Sequence, residues 1–212
     1  VTIRNSILAL LRMIKLDQLH PGERERVTEI MNDVFGDDPI QRWIFGPTMD
    51  VGLFFGQSAH ALYLHQDCSF ASADNQAAVL MLKPNTKKKI SIFKMLPLLK
   101  PMLKHGGLKA LKRGIVADEI ASKKAPKFPF YYIFAIGACK TARGKGYGSA
   151  LMNHCIKIAE ADQMPIYLEN SKQENLRFYQ GHGFEVIEKI SIGKSSPPMW
   201  LMVRQPHFAE SR

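Results

Sequence analysis

The sequence predicts an α/β (α+β) chain in which a single mixed central sheet is flanked by helices. Three observations carry that prediction. In the C-terminal third, β-branched and aromatic runs alternate with stretches of helical spacing, giving strand, helix, strand, helix, strand, strand. The 212 residues suit one large domain or two small ones, and neither a linker nor an internal repeat divides them. Apolar residues at 46% and charged residues at 23% are ordinary globular usage, which excludes a disordered tail protein, a collagen-like repeat and a coiled coil. At this length a core forms without disulfides or a structural metal.

The elements follow in order. Residues 7–11 are apolar but broken at Arg12, and no small-residue cleavage site follows, so no secretory leader is expected. No window approaches the roughly 18 consecutive apolar residues of a membrane span. Residues 21–35 read as an amphipathic helix. Val27, Ile30, Met31, Val34 and Phe35 recur at helical spacing, Glu23 and Glu25 favour the positive dipole end, and Gly36 stops it. Asp37-Asp38-Pro39 then reads as an N-cap before a proline at the first helical position, although both acids are also placed to attract a cationic acceptor. Residues 53–64 are a further helix. Residues 68–73 and 77–82 are two strands joined at the turn-prone pair Asp74-Asn75.

The chain carries 29 Lys and Arg against 19 Asp and Glu, a net charge of +10, and the surplus is local. Residues 83–127 hold 13 basic and two acidic residues, a balance of +11, whereas the rest, with 16 basic and 17 acidic, stands at −1. Such a segment can meet phosphate, nucleic acid or an acidic surface, or be a solvated helical face. Pro97, Pro101 and Gly106-Gly107 punctuate it into short helical pieces. Its apolar residues imply one face packed on the body with the lysines outward, as in a lid. Nucleic acid is not the expected partner, because a groove for it adds exposed stacking aromatics, whereas Phe93, the one aromatic of the segment, sits in an apolar run.

Residues 128–138 are a buried strand, followed by a glycine-rich loop at 143–148. Residues 149–162 form a helix with Leu151, Met152, Cys155, Ile156 and Ala159 on one face. Met164-Pro165 ends it, and Ile166-Tyr167-Leu168 is a short strand. Residues 174–180 make one or two helical turns closed by Gly181. Residues 184–192 and 199–204 form a last hairpin. His154 reads as an ordinary helix residue. Cys68, Cys139 and Cys155 form no CxxC and no ligand spacing, so neither a disulfide framework nor a metal site is expected, and the reading is a soluble, cytoplasmic protein.

The loop Arg143-Gly144-Lys145-Gly146-Tyr147-Gly148 carries the chemistry. Glycines there let the backbone approach a ligand, and the following helix offers unpaired N–H groups and its positive dipole end, an anion site. The alternative is a turn that merely connects strand to helix. The P-loop pattern is absent, and so is GxGxxG, since these glycines alternate strictly. Glu169 nevertheless lies about 20 residues on, where a dinucleotide-binding fold places its ribose-binding acid, so a Rossmann-type domain stays open. The third pattern, R/Q-x-x-G-x-G/A, is met by Arg143, Gly146 and Gly148.

With that loop, Tyr167-Leu168-Glu169-Asn170-Ser171, Asn175, Phe178-Tyr179 and Gly183-Phe184 resemble the GNAT superfamily of N-acetyltransferases, most closely the branch containing puromycin N-acetyltransferase. The residues from Trp200 to Arg204 resemble that branch's last strand, and those from Phe35 to Pro39 a segment after its first helix. The resemblance is specific over residues 128–204. It departs at Cys139-Lys140, where the family often has an acid and a proline, and in the basic insert, which has no specific match. It implies a single GNAT-like domain over 1–212 with a basic helical insert at about 83–127, acetyl-CoA as co-substrate, no metal, and a small-molecule primary amine as acceptor. By the same resemblance, the main chain of Arg143, Gly144, Lys145, Gly146, Tyr147, Gly148 and Ser149 cradles the coenzyme A pyrophosphate. The edge at Ile136, Gly137 and Ala138 pairs with the pantetheine arm, an N–H near Ala138 stabilises the oxyanion, and Asn175 bonds the pantetheine amide. Tyr179 is then the general acid, with a packed aromatic as its alternative. Glu169 is the candidate base, with a surface or capping carboxylate as its alternative. A GNAT-like scaffold that binds through the insert without catalysis is the remaining rival.

Overall fold

A computed structural model describes residues 14–88 and 90–207; the apolar stretch 7–11 and Lys89 lie outside the described residues. Ala77–Leu82 (β3) is apolar at every position and buried throughout, as a central strand must be. Around it form β1 (Leu16–Gln18), β2 (Phe70–Ser72), β4 (Tyr131–Ala138), β5 (Ile166–Asn170), β6 (Glu185–Ser191) and β7 (Pro198–Arg204). They make one seven-stranded sheet in the order β1-β2-β3-β4-β5-β7-β6. Only β4 and β5 pair in parallel; the other pairs are antiparallel. The mixed sheet agrees with the predicted class. It overturns the Rossmann reading, which needs a mostly parallel, doubly wound sheet.

Among the described residues, six helices flank the sheet: α1 (Arg24–Phe35), α2 (Pro39–Phe45), α3 (Val51–Ala61), α4 (Ile92–Lys124), α5 (Tyr147–Ala161) and α6 (Leu176–Gly181). One core lies between the sheet and α1, α2 and α3, and includes Val27, Met31, Phe45, Phe55, Leu80 and Tyr132. The other lies beneath α5 and α6, where Leu151, Met152, Cys155 and Tyr179 meet Met81, Ile133 and Leu168. The cysteines are unpaired and buried; burial pushes the Cys68 thiol up to about 12 and raises those of Cys139 and Cys155, so all three are packing groups. His154 meets Phe70 edge-on at 4.3 Å as an ordinary packing residue.

Two expectations are corrected. The short strand β1, unread in the sequence, is recruited by pairing with β2. The insert is not broken at its prolines: Pro97 and Pro101 lie within α4, which is two helices joined across a kink at Gly107 (φ 62°, ψ −164°), so of the expected breaks only the one at Gly106-Gly107 is present. Each proline removes a single ladder bond, and the burial of Leu98 against the body offsets that loss. The α4 helix is clamped to α2 and α3. Arg113 donates to the Trp43 carbonyl at 2.6 Å and stacks over its ring, and Lys94 donates to the Ala61 carbonyl at 3.1 Å. Only a stripe of it is covered, however. Phe93 and Leu108 are 77% and 76% exposed, so the outer face is apolar as well as basic.

Candidate active site

The site begins with a fault in the sheet. Leu80 pairs with Ala135 and Met81 with Ile133, leaving Phe134 as an extra residue, a β-bulge, on β4. The bulge reverses which edge each residue presents. Tyr131 N–H donates to Pro165 O on the β5 side, whereas Cys139 N–H, eight residues on, donates to Gln76 O on the β3 side. By alternation, Gly137 then faces β3, and the N–H groups of Ile136 and Ala138 face the β5 side. There they meet no strand, because β4 and β5 pair only at residues 131–133 and 166–168 before running apart. A slot with an unpaired strand edge opens between them. Gly137 lets α1 close over it, since a Cβ there would lie 2.3 Å from the Val34 side chain.

The glycine loop sits at the mouth of this slot. Gly144 and Gly146 adopt φ of 77° and 89°, the left-handed region open to glycine, and Gly146 is the uncapped N-cap of α5. Its carbonyl takes the Ala150 N–H, so the N–H groups of Tyr147, Gly148 and Ser149 project unpaired at the positive end of the helix. Tyr147 donates its phenol proton to Asp74 in the β2–β3 turn and so anchors the loop.

A cavity of about 430 Å³ joins slot and loop. Its walls include Ile136, Gly137, Ala138, Arg143, Gly144, Gly146, Tyr147, Gly148, Ser149, Glu169, Asn175 and Tyr179. Of the site residues named from sequence, Lys145 alone is not among them; its side chain is exposed. Asn175 and Tyr179 reach the cavity from successive turns, as their spacing of four requires. Tyr179 is buried, and burial together with the nearby Asp38 charge raises its phenol well above the usual value, keeping it protonated.

Sequence reasoning missed the links across the cavity. Asp38 is the N-cap of α2, its Oδ1 accepting from the N–H groups of Ile40 and Gln41 at 3.0 Å each, while its Oδ2 accepts from Ser171 after β5. Capping is therefore its structural role, as one of the two sequence readings had it. Asp37 meets Lys172 at 2.6 Å and Arg143 at 3.8 Å; the Lys172 hydrogen bond, though opposed by burial, holds its carboxyl below the ordinary range. These partners lie more than a hundred positions apart, and no local pattern could have paired them.

Glu169 is neither a cap nor a free surface group. Tyr132 donates to its Oε2 at 2.7 Å and Tyr167 to its Oε1 at 3.2 Å. Tyr132 and Tyr167 are register partners, and Glu169, two residues after Tyr167, shares their face of the sheet. Beyond Tyr132 lies Lys88, whose Nζ donates to the Tyr132 hydroxyl at 3.0 Å. Among the described residues no group of three or more His, Cys, Asp or Glu is placed to hold a metal, and no helix is long and apolar enough to cross a membrane.

Against known proteins, residues 114–184 match the acetyltransferase (GNAT) family. An acetyltransferase of Corynebacterium glutamicum, described as histone acetyltransferase HPA2 and related acetyltransferase, superposes with a TM-score of 0.65 at 20% identity, covering 93% of this chain and 98% of that one. The fold is that of the GNAT acetyltransferases. A Drosophila melanogaster polyamine N-acetyltransferase that forms N-acetylagmatine has the same GNAT fold, with a TM-score of 0.64, 14% identity and coverage of 91% and 99%. An uncharacterised N-acetyltransferase of Schizosaccharomyces pombe is 30% identical over 78 residues, which is 36% of this chain and 32% of that protein. The chain thus spans about a third of the curated relative it matches.

Proposed function

We propose that this is an N-acetyltransferase that moves an acetyl group from acetyl-CoA to a primary amine by direct attack. The observation that carries the reading is the slot, an unpaired β4 edge that runs into an uncapped helix N-terminus through a glycine loop. A pyrophosphate fits the loop, where N–H groups, the helix dipole and Arg143 all favour negative charge. A pantetheine amide fits the Ile136 and Ala138 edge as an added strand would, with Asn175 opposite. The family match at residues 114–184 and the loop's likeness to the GNAT pyrophosphate pattern support acetyl-CoA as the donor.

The residues then divide the chemistry. The amine nitrogen attacks the thioester carbonyl carbon, and the N–H of Ala138 stabilises the oxyanion. As the C–S bond breaks, Tyr179 gives its proton to the departing thiolate, and Glu169 takes the proton that the amine loses. The Leu168-Glu169-x-Ser171 and Asn175-x-x-Phe178-Tyr179 pattern supports a place near the puromycin N-acetyltransferase branch. We read the chain as a single GNAT-like domain with an insert. Three buried, unpaired cysteines support a reducing compartment, and we place the protein in the cytoplasm. The test is release of free CoA from acetyl-CoA over a panel of amines. Amine-dependent release is the expected result; tight CoA binding with no release on any amine would return the chain to the non-catalytic reading.

A further inference from the structure

A second cavity, of about 350 Å³, lies on the other side of Glu169, which lines both. Its floor is aromatic: Phe130 meets Tyr167 edge-on at 5.1 Å, and Tyr132 stacks on Tyr167 at 5.8 Å. Its rim belongs to the insert and to the segment leading into it, with Lys83, Lys87, Lys88 and Lys127 among the lining residues. Glu169 is the one acid among them. Lys88 is engaged with the Tyr132 hydroxyl and with Asp118 at 3.6 Å, while Lys83 and Lys87 form no ion pair among the described residues. A substrate entering here therefore meets cations before it meets the carboxylate.

That order of charges selects a class of acceptor. A dicationic polyamine would bring its second charge against the lysines, whereas an amine with an acidic group at its far end matches both ends. Resting on the acetyltransferase reading, we propose that the acceptor is an amine that also carries a carboxylate or phosphate, its nitrogen at Glu169 and its acidic group toward Lys83, Lys87 and Lys127. The aromatic floor takes the apolar or ring-bearing part between them. The class differs from agmatine, the acceptor of the Drosophila enzyme with the same fold.

Matched acceptors test this. With 4-(aminomethyl)benzoate against benzylamine, and phosphoethanolamine against ethanolamine, kcat/KM is expected to be about tenfold higher for the acidic member, mainly through KM. Agmatine is expected to be poorer than either acidic compound. The two pairs separate a carboxylate from a phosphate as the favoured group. The double variant Lys87→Glu/Lys127→Glu is expected to cut the preference to below about twofold. Its thermal melt checks folding, and Lys87→Gln/Lys127→Gln replaces it if charge reversal prevents folding. Preference for benzylamine or agmatine, or a preference unchanged in the double variant, would overturn the proposal. Turnover on neutral-tailed amines alone would do so while leaving the acetyltransferase reading intact. If no amine turns over, that reading fails, and calorimetry of the CoA-loaded protein still decides recognition: 4-(aminomethyl)benzoate binding no tighter than benzylamine overturns it.

Discussion

Tyr179 and Asp38 show how the same burial acts on two acids. For Tyr179, burial and the Asp38 charge disfavour the phenolate, so the proton needed for the leaving thiolate stays in place at neutral pH. Tyr179→Phe keeps the ring and its packing, and kcat is expected to fall about 100-fold with the CoA dissociation constant nearly unchanged. Because the phenol is shifted upward, it contributes no alkaline limb to kcat below about pH 10. A wild-type limb below about pH 9 that vanishes in Tyr179→Phe would contradict the assignment. Asp38 is raised as well, by burial, against the opposing hydrogen bonds from Ser171 and the α2 backbone. A carboxylate raised on folding binds its proton more tightly in the native state, so its contribution to stability grows as pH falls through that raised value toward the ordinary one. Asp38→Asn keeps the cap acceptor and removes this dependence. Asp38→Ala loses the cap and is expected to cost about 1–2 kcal/mol in urea unfolding. A neutral Asp38→Ala would mean that the α2 N-terminus needs no side-chain partner.

Elements were legible to the extent that their causes are local. The α1 helix follows from apolar spacing, α2 from the Asp38-Pro39 start, and the β4-loop-α5 unit from a strand-forming run next to glycines, with α5 beginning at Tyr147 rather than Ser149. The β4 bulge was not legible, because it is a mismatch in register against β3 and nothing around Phe134 signals it. The prolines of α4 misled for a related reason. Pro97 and Pro101 oppose a helix locally, but burial of Leu98 and the clamp at Lys94 hold the turns together. The exposed Phe93, Leu96 and Leu103 show that the part of α4 before its kink covers only one stripe on the body. The break expected at Gly106-Gly107 falls at Gly107, whose backbone conformation is nearly exclusive to glycine. Gly107→Ala is expected to cost about 1–3 kcal/mol, read by thermal or urea unfolding. A change within about 0.5 kcal/mol would show that the kink relaxes freely.

At the scale of the whole molecule, the sheet sets two compartments on either side of Glu169, one ending at the glycine loop and one rimmed by the two ends of the basic insert. The first was largely readable, since Arg143, Gly146, Gly148, Asn175 and Tyr179 stand in a contiguous stretch whose pattern is short-range. The second was not, since Tyr132, Lys88 and Glu169 converge only through strand pairing and the path of the insert. The charge surplus was visible in the sequence, but its placement at the rim of a cavity was not. The claim on which both compartments depend is that the slot and loop hold coenzyme A. Calorimetric titration of CoA into the wild type and Gly146→Val addresses it directly. A branched Cβ at a left-handed φ of 89° distorts the loop at the point of closest approach, and the affinity is expected to fall at least tenfold, about 1.4 kcal/mol. Equal CoA affinity in a folded Gly146→Val protein, or no binding by the wild type, would contradict the account.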